Sequence, residues 1–173
     1  MNRLFLTVIL LGYIFLGRCS FPPDYVDLMK LPEIQRHEAF RKLPIEKQVD
    51  FYLLRADYSH PFDTSFADDI AILGDEVTPY LLERLKKESI DYRKRFIIFV
   101  FEQIHRNTID LRGEKEVIDS LEHTVNQIED SEWRRMSQKS VQFIKNAAPK
   151  YAPDYNPSKE PPPLPPPPPK PQI

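Results

Sequence analysis

TPYLLERLKKESIDYRKRFIIFVFEQI, residues 78–104, reads as two helices separated by a short polar break. With Val77 just ahead of it, the first helix carries Leu81, Leu82 and Leu85 on one side, the spacing of an amphipathic helix. The second carries Phe96, Ile97, Ile98, Phe99, Val100, Phe101 and Ile104. So many large apolar groups cannot all point one way from a helix, so neighbours must cover this one on several sides. Burying each such side chain contributes ~1.5–3 kcal/mol, which makes this segment the expected centre of the core.

Helical spacing extends outward from there. In the N-terminal direction, Ile45, Val49, Tyr52, Leu53 and Ala56 form one stripe, opened by Pro44 at a first helical turn. An earlier helix is expected over Glu33–Lys42 behind Pro32. SHPFDTS breaks the pattern, because Pro61 disfavours helix at His60. Thr64 or Asp63 is the expected cap of a short helix running to Gly74, a natural left-handed terminus, and Asp75 is the expected cap of the next.

In the other direction the hairpin has a second copy about 40 residues on. VIDSLEHTVNQIEDSEWRRMSQKSVQFI, 117–144, can be laid on VTPYLLERLKKESIDYRKRFIIFVFEQI, 77–104. Val117, Leu121 and Val125 take the places of Val77, Leu81 and Leu85. Trp133-Arg134-Arg135 follows Tyr92-Arg93-Lys94 after a one-residue insertion, and Trp133, Met136, Phe143, Ile144 and Ala147 continue a stripe. Paired helices repeating at this period predict an all-α chain built as a short α-solenoid of antiparallel helix pairs.

The stretch TPYLLERLKKESIDYRKRF resembles a HEAT repeat: Pro79 in the first helix, YLLERL as its stripe, a polar elbow, and DYRKR opening the second helix. EWRR repeats that opening, so the resemblance covers residues 75–146, about two repeats, closely in the first and loosely in the second. It implies a HEAT-like fold, and such folds generally serve as binding scaffolds; it implies no particular activity.

The two ends differ in composition from this middle. Arg3 followed by an apolar run from Leu4 to Leu16, with Gly17 and Cys19 at the small-residue positions before Ser20, fits a signal peptide over 1–19. Thirteen residues of helix cover about two-thirds of a hydrocarbon core ~30 Å thick, too little for a spanning anchor. FLGRCS also resembles the lipobox of bacterial lipoproteins, with Leu16 in place and Cys19 as the residue to be acylated. Arg18 stands where that motif has a small residue, and this argues against lipidation. Membrane association is therefore expected only with an acylated Cys19 or an uncleaved N-terminal segment. Cys19 is the only cysteine, so residues 24–148, the helical-repeat domain, hold no disulfide and must rely on packing. Twelve of the 18 prolines lie between Pro149 and Pro171, which predicts a disordered proline-rich tail over 149–173. Its polyproline II conformation at ~3.1 Å per residue suits a stiff spacer.

No catalytic set stands out. His60 lies among Asp57, Asp63, Asp68 and Asp69, ligand types a metal site uses, but this is a proline-broken turn where Asp and His serve as caps. HEAFR at His37 lacks the second histidine of a zincin, and His105 and His123 have no triad partners in view. Four glycines form no phosphate loop, and no cofactor or metal is expected. The cations Arg84, Lys86, Lys87, Arg93, Lys94, Arg95, Arg134 and Arg135 interleave with Glu83, Glu88, Asp91, Glu129, Asp130 and Glu132. Paired surface charge explains that mixture better than a nucleic-acid footprint, as does a net charge of -2.

The sequence thus predicts an exported, non-catalytic protein-binding scaffold, secreted or in the periplasm or cell envelope. Its expected binding residues are Tyr92, Arg93, Arg95, Trp133, Arg134 and Arg135, because Tyr, Trp and Arg are the types that anchor interfaces. Two alternatives stay open: a metal-dependent hydrolase using the Asp57–His60–Asp69 segment, and a structural envelope protein with a polyproline spacer.

Overall fold

The computed structural model describes residues 21–59 and 63–149. The expected signal peptide with Cys19, His60 of the acidic turn, and nearly all of the proline-rich tail lie outside the described residues. Those residues are all-helical: α1 (Pro23–Lys30), α2 (Glu33–Arg41), α3 (Ile45–Tyr58), α4 (Phe66–Ala71), α5 (Thr78–Lys87), α6 (Asp91–Asn107), α7 (Lys115–Gln127) and α8 (Ser131–Asn146). Short 3-10 turns at Gly74–Glu76 and Leu111–Gly113 precede α5 and α7. None of the described helices is long and apolar enough to cross a membrane.

The described residues divide into two compact units, one ending at Ala39 and the other beginning at Phe40. In the first, α1 buries Tyr25 and Leu28, with Phe21 and Tyr25 stacked at 5.5 Å. The chain leaves α1 through Leu31, whose carbonyl accepts from Arg36 Nη2 at 2.9 Å.

The second unit is organised on α6. Phe96, Ile97, Ile98, Val100, Phe101 and Ile104 are all buried, as their number demanded. Phe99 is the exception, half-buried beneath the Arg95 guanidinium at 5.3 Å. α3 and α6 run in opposite senses: Asp57 meets Tyr92 and Arg93, while Tyr52, earlier in α3, donates its hydroxyl to the Phe96 carbonyl at 3.2 Å. α6 and α8 run in the same sense, since Phe96 faces Trp133, Glu102 takes the Ser140 hydroxyl, and His105 meets Phe143 edge-on. α5 and α7 also pack together, with Leu82, Leu85 and Lys86 facing Asp119, Ser120, His123, Thr124 and Gln127.

The expected stripes of α3, α5 and α7 are buried, except that Ile45 at the start of α3 is half-buried. That of α8 is displaced. Ser137, Ser140, Val141 and Ile144 are buried, whereas Trp133, Met136, Phe143 and Ala147 are only half-buried. Small serines let α8 close on the bulky face of α6, and that rotates the larger apolar groups toward the surface. Two capping expectations also shift. α4 stops at Ala71, and Asp63 accepts from Ser65 N–H at 2.8 Å in the preceding turn rather than capping the helix. Asp75 falls within a 3-10 turn, and α5 opens at Thr78, whose hydroxyl donates to the Gly74 carbonyl at 3.1 Å. Gly74 itself is left-handed, with φ of 53°, as a chain reversal there requires.

Candidate functional site

Each of the six expected binding residues lies in the first turns of α6 or α8, but the structure gives them different tasks. Asp57 collects three donors: the Tyr92 hydroxyl at 2.8 Å, Arg93 Nε at 2.9 Å, and Arg93 Nη2. Burial and the bond to Asp57 both hold the Tyr92 phenol above its usual value, and the same bond raises Arg93 further. The Glu88 carboxylate meanwhile accepts from Ser89 and Ile90 N–H, both at 3.0 Å, at the open end of α6. It lies 3.8 Å from both Arg84 and Arg93. A charge chain therefore ties α3, α5 and α6 together, and Arg93 is spent on it.

Arg134 is spent similarly. Its Nε donates to the Ile128 carbonyl at 2.6 Å and its Nη2 to the Glu129 carbonyl at 3.2 Å, closing the turn that leads into α8. Arg135 points outward, 3.9 Å from an exposed Glu132. Trp133 lies over Phe96 with ring centroids 6.5 Å apart and keeps part of its indole at the surface. It both seals the seam between α6 and α8 and offers a surface contact.

Arg95 stands apart. It makes no hydrogen bond among the described residues, and its Nε and Nη1 are enclosed without an acceptor. Burial lowers its pKa, opposed by the fields of Glu102 and Tyr52. Beyond it, the half-buried positions of α6 continue as Phe99, Glu102 and Arg106, and those of α8 as Met136, Phe143 and Ala147. The two rows touch where Ser140 donates to Glu102 and where Arg106 lies over Phe143 at 4.5 Å. Arg106 is neutralised by Glu102 at 2.8 Å. Sequence reasoning placed Phe99, Met136 and Phe143 in the core. The signal available was the run of small residues at Ser137 and Ser140, which marks the packed side of α8 better than its apolar residues do.

The acidic turn is built from arginine pairs. Asp57 is held by Arg93, Asp63 by Arg55, and Asp69 by Arg41 at 2.7 Å. Among the described residues, no three His, Cys, Asp or Glu side chains group as a metal site. His105, which lacked a visible partner in the sequence, has two. Its Nδ1 accepts from Leu111 N–H at 3.2 Å, which leaves Nε2 as the donor to the Ala147 carbonyl at 3.0 Å. His123 accepts from Gln127 at 2.9 Å on the surface of α7. Comparisons with protein-family models, with curated proteins and with solved structures find no match to this chain.

Proposed function

We propose that the chain is an exported, non-catalytic protein-binding scaffold of the cell envelope, a short HEAT-like α-solenoid whose partner docks along the half-buried rows of α6 and α8. The observation that supports this reading is the side-by-side packing of like helices, α6 parallel to α8 and α5 against α7. Such packing is how a stacked repeat buries its core.

The docking surface follows from what that packing leaves over. Trp133, Met136, Phe99 and Phe143 retain apolar surface along adjacent rows, rimmed by charged side chains. Apolar and aromatic groups within a polar rim are the usual anatomy of a protein interface. Export is supported by the Arg3 to Leu16 pattern. The hydrolase alternative draws less support, because Asp57 and Asp69 are already bound to arginines.

Photo-crosslinking residues placed at Arg135 and Met136, with Glu116 on α7 as the comparison position, test the docking face in the native cell. Discrete adducts from 135 and 136 but not from 116 are expected. Equal labelling at all three, or none from the first two, overturns the reading. Mass spectrometry of the mature N-terminus checks the compartment: a free Ser20 is expected, an acylated Cys19 would relocate the protein to a membrane surface, and a retained Met1 would refute export.

A further inference from the structure

We propose that Arg95 is the anchor for a carboxylate of the docking partner, an Asp or Glu side chain set among apolar residues in the partner's chain. This inference rests on the scaffold reading and adds the chemistry of what is bound.

The first ground is that Arg95 is the odd arginine of its unit. Among the described residues, Arg41, Arg55, Arg84, Arg93, Arg106 and Arg112 all sit against carboxylates. Arg134 binds two carbonyls, and Arg135 faces Glu132. Arg95 alone has neither an ion pair nor a hydrogen bond, although it is half-buried and two of its nitrogens are enclosed. A charge removed from water without a partner is costly, and a guanidinium offers five donors in a rigid fork.

The second ground is charge. Along the rows of α6 and α8 Arg106 is neutralised by Glu102, which also takes the Ser140 hydroxyl. The partly enclosed, unpaired charge of these rows is therefore Arg95; exposed Lys139, between Met136 and Phe143 on α8, adds positive charge to the same face, and its complement is negative.

Geometry is the third. The guanidinium lies over Phe99 at 5.3 Å, a contact that biases its position toward this face before any partner arrives. With Nε and Nη1 enclosed, Nη2 is the nitrogen left to meet a ligand. Because the charge is delocalised over the fork, a carboxylate oxygen at Nη2 neutralises charge shared with the two enclosed nitrogens. The half-exposed surfaces of Phe99, Trp133, Met136 and Phe143 favour apolar residues on either side of that carboxylate.

A random peptide library selected against the full chain tests this, with Arg95→Met and Arg95→Lys run in parallel and circular dichroism checking that both stay helical. Peptides selected on the wild-type protein are expected to carry one Asp or Glu flanked by apolar residues. Changing that acid to its amide is expected to weaken binding about tenfold, the scale of a charge-assisted bond. Arg95→Met is expected to bind acid and amide peptides equally, with Arg95→Lys in between. Neutral or basic selected peptides overturn the anchor while leaving the scaffold reading standing, and so does an acidic preference that survives Arg95→Met. A selection that yields no binders, together with absent crosslinks from Arg135 and Met136, overturns both.

Discussion

Asp91, in the first turn of α6, reaches across to Asp130 at the mouth of α8: its Oδ2 accepts the Asp130 N–H at 2.9 Å and the Glu129 N–H at 2.8 Å. Asp130 in turn caps α8, accepting from the N–H groups of Glu132 and Trp133. One carboxylate thus fixes the turn in which the next one caps. Removal from water pushes the Asp91 carboxyl up, but the two backbone N–H groups and Lys94 hold it below its usual range. Asp91→Ala is expected to lose about 0.5–1.5 kcal/mol, the net worth of a hydrogen bond whose exposed donors water can take over, read as a lower urea midpoint. It should also speed amide hydrogen exchange at Glu129 and Asp130 more than in α3. Unchanged exchange at those two amides would show that the turn holds itself.

The Asp57–Arg93 pair behaves as framework. Asp57 is 12% exposed and accepts from Tyr92 as well, so Arg93→Ala leaves a carboxylate with one donor in place of three. A loss of about 1.5–3 kcal/mol is expected for Arg93→Ala, the range for hydrogen bonds to charged groups. In a double-mutant cycle with Asp57→Ala, the double variant is expected to be less damaged than the two single losses added together. Strict additivity would mean that the two side chains do not stabilise one another. The cycle also bears on function, because a binding defect in Arg93→Ala has to be judged against the stability it removes.

How much of this was legible depended on what each residue type can do alone. The apolar run on α6 admitted one solution, burial on several sides, and the helices of the second unit followed from spacing that only a 3.6-residue period satisfies. The fates of individual polar groups were not legible. DYRKR contains the Asp91–Lys94 pair at i,i+3, but nothing in it says that Arg93 is consumed by Asp57, that Lys94 also reaches the Gln127 carbonyl, and that Arg95 is left over. Those outcomes depend on partners 33–36 residues away, fixed only when helices pack. α8 misled for a related reason. Hydrophobicity alone assigns Met136 and Phe143 to the core, yet the distance between α6 and α8 is set by the small side chains that fit between them.

Two glycines should respond in opposite ways. At Gly74 the backbone is left-handed, and a Cβ would lie 3.0 Å from Thr108 Cγ2, on a threonine whose hydroxyl is committed to the Ala71 carbonyl at 2.7 Å. Gly74→Ala is expected to lose at least about 1–2 kcal/mol from conformation alone. At Gly113 a Cβ would meet nothing within 4 Å, and φ lies outside the positive range. Gly113→Ala is expected to be neutral or to gain about 0.4–1 kcal/mol by restricting the unfolded chain. Thermal melts of the two variants separate the cases, and equal melting temperatures would contradict the left-handed turn.

Acid should loosen the domain at the entrance to α4. Burial raises the Asp63 carboxyl, but Arg55 and the Ser65 N–H outweigh it and bring the folded value from 3.8 to about 2. A carboxyl with a depressed folded pKa contributes its full stability above the unfolded value and loses it as pH falls through the folded one. The contribution of Asp63 is therefore expected to be complete above about pH 4 and to fade toward about pH 2. Urea midpoints measured across that window should fall more steeply for the wild-type chain than for Asp63→Asn, which lacks the titrating group. Parallel slopes would place the acid sensitivity elsewhere, with Asp91 and Asp110, both also depressed, as the next groups to replace.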